Sequence, residues 1–346
     1  MKWASGENLP RTHAKPTFSE AWLHQNYGLD FGERYHTDAV FRTEQDRETR
    51  KLLWERFGHL GLGEKDPQPR PHLEICGHRF LPALLGCEII FQEDQAPASV
   101  HIGLDRAKDL ARFKLPDLQK NVWAREFREQ AVRLMDRYGT VDATINHGGP
   151  INVASNVLGT EAFVYLIESP EPFRAFLQTI ADLCILTYDQ LTLPMNPELG
   201  ADRELFLGNC PVMMLDPGMY VAEVLPADLS LRSRVKRFGL HHCGPIDRYL
   251  GAYQRLEPLE YLEVGSGSDL SEVRRAFPTT LLDLLVGVSS ISAMSESQMR
   301  TAMTDLIGAA EPTSLVRDVF MADVGADVED STIETFVESV DAAFAG

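Results

Sequence analysis

From Pro71 onward the chain alternates short apolar runs with amphipathic stretches, and that alternation constrains its fold more than any other feature. The runs lie at 72–76, 140–146, 204–208, 239–243, 259–264, 280–286 and 314–320. Helical patterns fall between or after them, at 107–138 with a break at Pro116, then at 171–191, 217–237, 269–277, 295–307 and 331–344. Ser295 followed by Gln298 predicts a capped helix start, and Pro217 suits a first helical turn. Strand and helix repeated in this order predict parallel strands joined by right-handed crossovers. The expected class is α/β, a TIM-like (β/α)8 barrel with an N-terminal extension. Seven runs are legible where closure needs eight strands, and 88–92 is the candidate for the missing one. Residues 1–70 read as a peripheral arm with a helix at 43–57, and 71–346 as the barrel and catalytic domain.

Bulk properties narrow the partners. A length of 346 residues suits a barrel of about 250 residues with insertions. A net charge of −18 argues against binding nucleic acid or an anionic membrane surface, both of which need clustered positive charge. No apolar run is long enough to span a bilayer, and the first fifteen residues lack the apolar core of a secretory signal. Five cysteines (Cys76, Cys87, Cys184, Cys210 and Cys243) are odd in number and contain no CxxC pair, unlike a disulfide framework. The expected setting is reducing and cytoplasmic.

Chemistry concentrates where strand ends are expected. In an extended strand His241 and Cys243 face the same way, with Cα atoms about 7 Å apart, and His242 faces the other. An imidazole and a thiolate so placed can converge on one ion, and zinc accepts both. The competing reading is a buried small thiol and a histidine bonded to a carbonyl. Cys210, in Asn209–Cys210–Pro211, is the best local candidate for a third ligand, with Glu74, Cys76 and Glu263 as weaker competitors. Asn146–His147–Gly148–Gly149–Pro150 lies between a strand and a helix, so His147 is a candidate base or hydrogen-bond donor, though the glycines also fit a tight turn. Neither GxxxxGK nor GxGxxG spacing is present, and 265–268 (GSGS) reads as a flexible turn. The methionines at 213, 214, 294, 299 and 303 read as core or pocket lining.

The stretch from Phe206 to Leu250 resembles the uroporphyrinogen decarboxylase superfamily, in which a pocket loop, a (S/D)P-x-x-(Y/F) motif, LP and H-x-C-G recur in order. Gly148–Gly149–Pro150 with Leu158–Gly159, Leu84–Leu85–Gly86, and the 262–278 segment agree with that order. The resemblance implies a TIM-like barrel. The true decarboxylases carry an RQAGRY-type N-terminal motif, absent here, and Gly77–His78 stand where their Asp falls. The chain is more similar to the branch of methylcobamide:coenzyme M and O-demethylase methyltransferases. There an H-x-C pair and a later Cys hold a zinc that activates a thiol. His241 and Cys243 match the pair; where the later Cys would fall the chain has Met321, Ala322 and Asp323, so Cys210 or Asp323 is left to complete the site.

The resulting expectation is methyl transfer between a small methoxy or thiol compound and the cobalamin of a corrinoid protein docked at the barrel mouth. Zinc at His241, Cys243 and Cys210 assists, and Asn146, His147, Asn209 and Asp216 orient the small-molecule donor or acceptor. A metal-free decarboxylase and a non-catalytic binding barrel are the alternatives.

Overall fold

The computed structural model describes residues 12–104, 107–196 and 203–345. Seven parallel strands form one curled sheet in the order β1 (Ala14–Phe18), β9 (Val316–Val324), β8 (Leu281–Gly287), β7 (Tyr261–Val264), β6 (Arg237–His241), β5 (Glu204–Gly208) and β4 (His147–Gly148). The architecture is α/β, as the alternation predicts, but the barrel is not closed.

The opening lies at the first two expected strands. The 72–76 run makes one isolated parallel bridge, His72 to Asp142, flanked by a hydrogen bond from Leu73 N–H to the Asp142 carbonyl (2.9 Å). It then turns sharply, because Cys76 and Gly77 adopt positive φ (58° and 51°) and lead into a short helical turn, Gly77–Arg79. In the 140–146 run the Asp142 carboxylate captures the Thr144 N–H and hydroxyl, and Asn196 accepts from Ala143 N–H. Such local side-chain bonds draw the backbone away from a ladder.

Two assignments are corrected. Ile89–Gln92 (β2) is not a barrel strand but pairs antiparallel with β3 (Gln95–Ser99) in a separate two-stranded sheet. The missing main-sheet strand is β1, inside the stretch read as a peripheral arm. Its sequence, AKPTF, has no apolar run, and Pro16 cannot donate to a ladder, which confines it to an edge. Among the described residues it pairs with β9 alone, which joins the 14–18 stretch to the sheet.

Helices cover the outer face. In Pro170–Thr187, Phe173, Phe176, Leu177, Ile180, Ala181 and Cys184 recur at helical spacing and are all buried. Each such large apolar side chain contributes about 1.5–3 kcal/mol of burial. Truncating Leu177 to Ala would cost about 2–5 kcal/mol. The helical patterns at 171–191 and 217–237 each contain a π-type turn, Tyr188–Thr192 and Tyr220–Val224. Each turn precedes a proline, Pro194 or Pro226, whose missing N–H breaks the regular ladder. Ser295 and Gln298 form the expected capping box on Glu296–Ala309, whose Met299 and Met303 are core residues. No helix among the described residues is long and apolar enough to cross a membrane.

Candidate metal centre at the open end of the sheet

His241 is the last residue of β6, Cys243 lies two residues beyond it, and Cys210 lies two beyond the end of β5. The two strands are adjacent and in register, Gly208 beside His241, so the turns that follow them meet. The His241 nitrogen and the Cys210 and Cys243 sulfurs lie within 4.8 Å of one another. His241 Nε2 is 3.1 Å from Cys243 Sγ, and the two sulfurs are 2.8 Å apart without a disulfide. One imidazole and two thiols, half-buried to exposed with an open side, fit the donor set and coordination number of a catalytic zinc.

The electrostatics separate these thiols from the others. Burial pushes Cys87 up to about 11 and Cys184 up to about 12, leaving them protonated and inert. Cys210 is instead lowered, because Cys243 donates a hydrogen bond to its thiolate, and Cys243 is correspondingly raised. The pair thus gives up its first proton readily and its second with difficulty. At His241 burial disfavours the charge, but contacts with Cys243 and Glu263 outweigh it and raise the imidazole to about 9.

Behind His241 a polar row crosses the sheet. The parallel register sets His241 beside Glu263 on β7 and Glu263 beside Asp283 on β8. His241 Nδ1–H donates to Glu263 Oε2 at 2.5 Å, which fixes the ring's orientation and leaves Nε2 toward the sulfurs. Glu263 Oε1 accepts from the Tyr261 hydroxyl (2.8 Å), a group in contact with Asp283 and with Arg317 Nη2 (2.6 Å). Arg317 Nη2 also donates to Asp283 Oδ2 (2.5 Å). Burial raises Asp283 to about 6 even against this guanidinium. Glu263, weighed from sequence as a rival ligand, is the hydrogen-bond acceptor for His241. Tyr261, Asp283 and Arg317 were not singled out, although one aspartate inside the apolar strand LLDLLVG is a legible signal.

The remaining sequence candidates lie elsewhere. His147 is buried on β4, bonds Thr187 of the covering helix at 3.0 Å, and is held neutral by burial, down to about 4. Asn146 is exposed, in a cleft shared with Glu74 and Gly77. The Asn209 side chain is buried and donates to Asp228 Oδ2 (3.1 Å). Asp216 caps the turn Pro217–Met219 by accepting from Gly218 N–H (2.8 Å). Asp323 sits at positive φ (57°) near the end of β9, its N–H on Thr17 Oγ1 (3.0 Å), outside the ligand group. Met213 lies over Gly244 and, like the more exposed Met214, is not in the core. The 265–268 turn is packed: a Cβ at Gly265 would stand 2.1 Å from the Gly244 carbonyl oxygen.

Residues 77–301, more than half of the chain and including all three candidate ligands, match the family model described as uroporphyrinogen decarboxylase (URO-D). The chain belongs to that family. Among solved structures this URO-D family member is similar to a methyltransferase from Methanosarcina mazei, with 16% identity and a TM-score of 0.63, over 95% of this chain and 94% of that one. That likeness is one of fold. A B12-independent methionine synthase from Shewanella sp. W3-18-1, in complex with selenomethionine, aligns at 8% identity and a TM-score of 0.47, over 87% of each chain. No curated protein sequence matches the chain.

Proposed function

We propose that this URO-D family member is a methyltransferase that moves a methyl group between a small methoxy or thiol compound and the cobalt of a separate corrinoid protein. The observation that carries the reading is the convergence of Cys210, His241 and Cys243 at the ends of two adjacent strands. Membership of the family and a shared fold with a solved methyltransferase support it. These three side chains would hold zinc, which when bound stabilises the thiolate or alkoxide form of the substrate's reacting atom.

The chain's own residues do the rest. Glu263, held by Tyr261, keeps the His241 ring oriented with Nε2 toward the sulfurs, and Nε2 would release its proton on binding the metal. Cys210, lowered by the hydrogen bond from Cys243, is the thiol of the pair that gives up its proton first and so the readier anionic ligand. Gly244 and Gly265 pack backbone to backbone beside Cys243, which fixes that turn without side-chain bulk at the mouth. Met213, lying over Gly244 next to Cys243, gives this end an apolar, adaptable side chain beside the ligands.

The test is turnover with purified zinc-loaded protein, cob(I)alamin and a panel of methoxy and methylthio compounds, followed by the absorbance of methylcobalamin. Formation of methylcobalamin, lost in Cys243→Ala, is the expected result. No methyl transfer in either direction with any donor would reject the reading. Metal-free decarboxylation of a tetrapyrrole carboxylate would then be the activity to assay.

A further inference from the structure

On the opposite face of the same two turns lies a second polar cluster, fully enclosed. Asn209 and His242, the chain neighbours of the three candidate ligands, turn away from the open end and toward Asp228 and Tyr253. Asn209 and His242 are 1% and 0% exposed. Asp228, on the covering helix Leu225–Arg232, is 0% exposed, and no Lys or Arg is among the groups that act on it. Its Oδ2 accepts from Asn209 Nδ2 (3.1 Å) and from the Tyr220 hydroxyl (2.8 Å). Asn209 N–H donates to the His241 carbonyl (2.9 Å), and His242 Nδ1–H donates to the Gly244 carbonyl (2.9 Å). Tyr253 packs against both His242 and Tyr220, with ring centroids 6.1 and 5.6 Å apart.

We propose that Asp228 is a positioning residue for the ligand group, acting through Asn209 to set the turn that carries Cys210 against Cys243. The inference rests on the metal-centre reading above and deepens it. A buried carboxylate without a cationic partner is costly to keep, and burial holds Asp228 up at about 7. A hydrophobic residue would pack the same helix more cheaply, so the cost is explained by what the carboxylate holds. It accepts from the side chain immediately before Cys210, while the N–H of that same residue is bonded to the carbonyl of His241. Fixing Asn209 on the outer face therefore fixes the direction in which Cys210 leaves the strand, and with it the separation of the two sulfurs.

The test compares the full-length wild type with Asp228→Leu, which removes the acceptor, and with Asp228→Asn, which keeps one. Ile333→Ala, fully buried on the C-terminal helix Asp330–Ala345, which packs on β1 and the 296–309 helix and not on the Asp228 helix, controls for destabilisation alone. Zinc affinity is read by competition with a chromophoric chelator, and ligand geometry by the absorption bands of the cobalt(II)-substituted protein. Expected are a loss of about tenfold or more in zinc affinity and shifted cobalt bands in Asp228→Leu. Near wild-type values should return in Asp228→Asn, and Ile333→Ala should show a lowered Tm with unchanged metal binding. Wild-type zinc affinity and cobalt bands in Asp228→Leu would overturn the proposal and leave the metal centre standing. Absence of zinc binding by the wild type would overturn both. Should Asp228→Leu fail to fold, Asn209→Ala severs the same link and is read in the same assays, an unchanged affinity again overturning the proposal.

Discussion

His241 shows how one residue's surroundings decide its chemistry. Three histidines of this region are treated differently: His147 and His242 are driven down to about 4 by burial, and His241 is raised to about 9 despite it. The difference is the Glu263 carboxylate on Nδ1 and the Cys243 sulfur beside Nε2. Glu263→Gln keeps the shape but removes the charge that orients and enriches the ring. It should weaken zinc binding about tenfold in chelator competition; an unchanged affinity would mean that Glu263 does not support the ligand. His147 gives a stability prediction. Its folded value lies below the ordinary 6.5, so the unfolded chain takes up its proton first and stability falls as pH drops from about 6.5 to about 4. The full effect is roughly 3 kcal/mol. Chemical denaturation across that window should show the loss, with a shallower slope in His147→Phe; equal slopes would assign the acid sensitivity to other groups.

At the scale of elements the decisive unit is a pair of strand-end turns. The His-x-Cys spacing made the ligand pair legible, but the strand expected to carry both ends at His241, and the turn beyond it brings Cys243 to the ring. Cys210 was legible as a candidate but not as a neighbour, since the meeting of its turn with that of Cys243 depends on the β5–β6 register. The Asp228 anchor had no legible signal, because nothing in LPADLSLR separates a buried aspartate from a solvated one. The 265–268 turn, read as flexible, is in fact jammed against Gly244. Gly265→Ala would place a methyl 2.1 Å from one backbone atom and 2.4 Å from another, neither able to move without shifting Cys243. A destabilisation of about 1–3 kcal/mol and a parallel loss of zinc affinity are expected. Thermal melts and chelator competition check it, and a variant with wild-type affinity would show the turn to be independent of the site.

For the whole molecule, the sheet's edges are where sequence and structure part. Apolar runs located the central strands, β5 residue for residue and the others to within four residues at an end, since a strand buried on both faces, as β7 is, reads as a mainly apolar run. Edge segments are held by few partners and lack that pattern, which is why β1 was hidden in an apparent arm and the 72–76 run formed only a bridge. β1 nonetheless anchors β9 through a parallel ladder and its buried Ala14. A chain beginning at Glu20 should therefore lose cooperative unfolding or melt well below the full-length protein, and an unchanged Tm would make β1 dispensable. The claim on which the functional account depends is that Cys210, His241 and Cys243 together hold a metal. Elemental analysis of protein purified without chelator, wild type beside His241→Ala/Cys243→Ala, tests it directly. The account predicts about one zinc per wild-type chain and none in the double variant; a wild-type protein without metal, or a double variant that retains it, would contradict it.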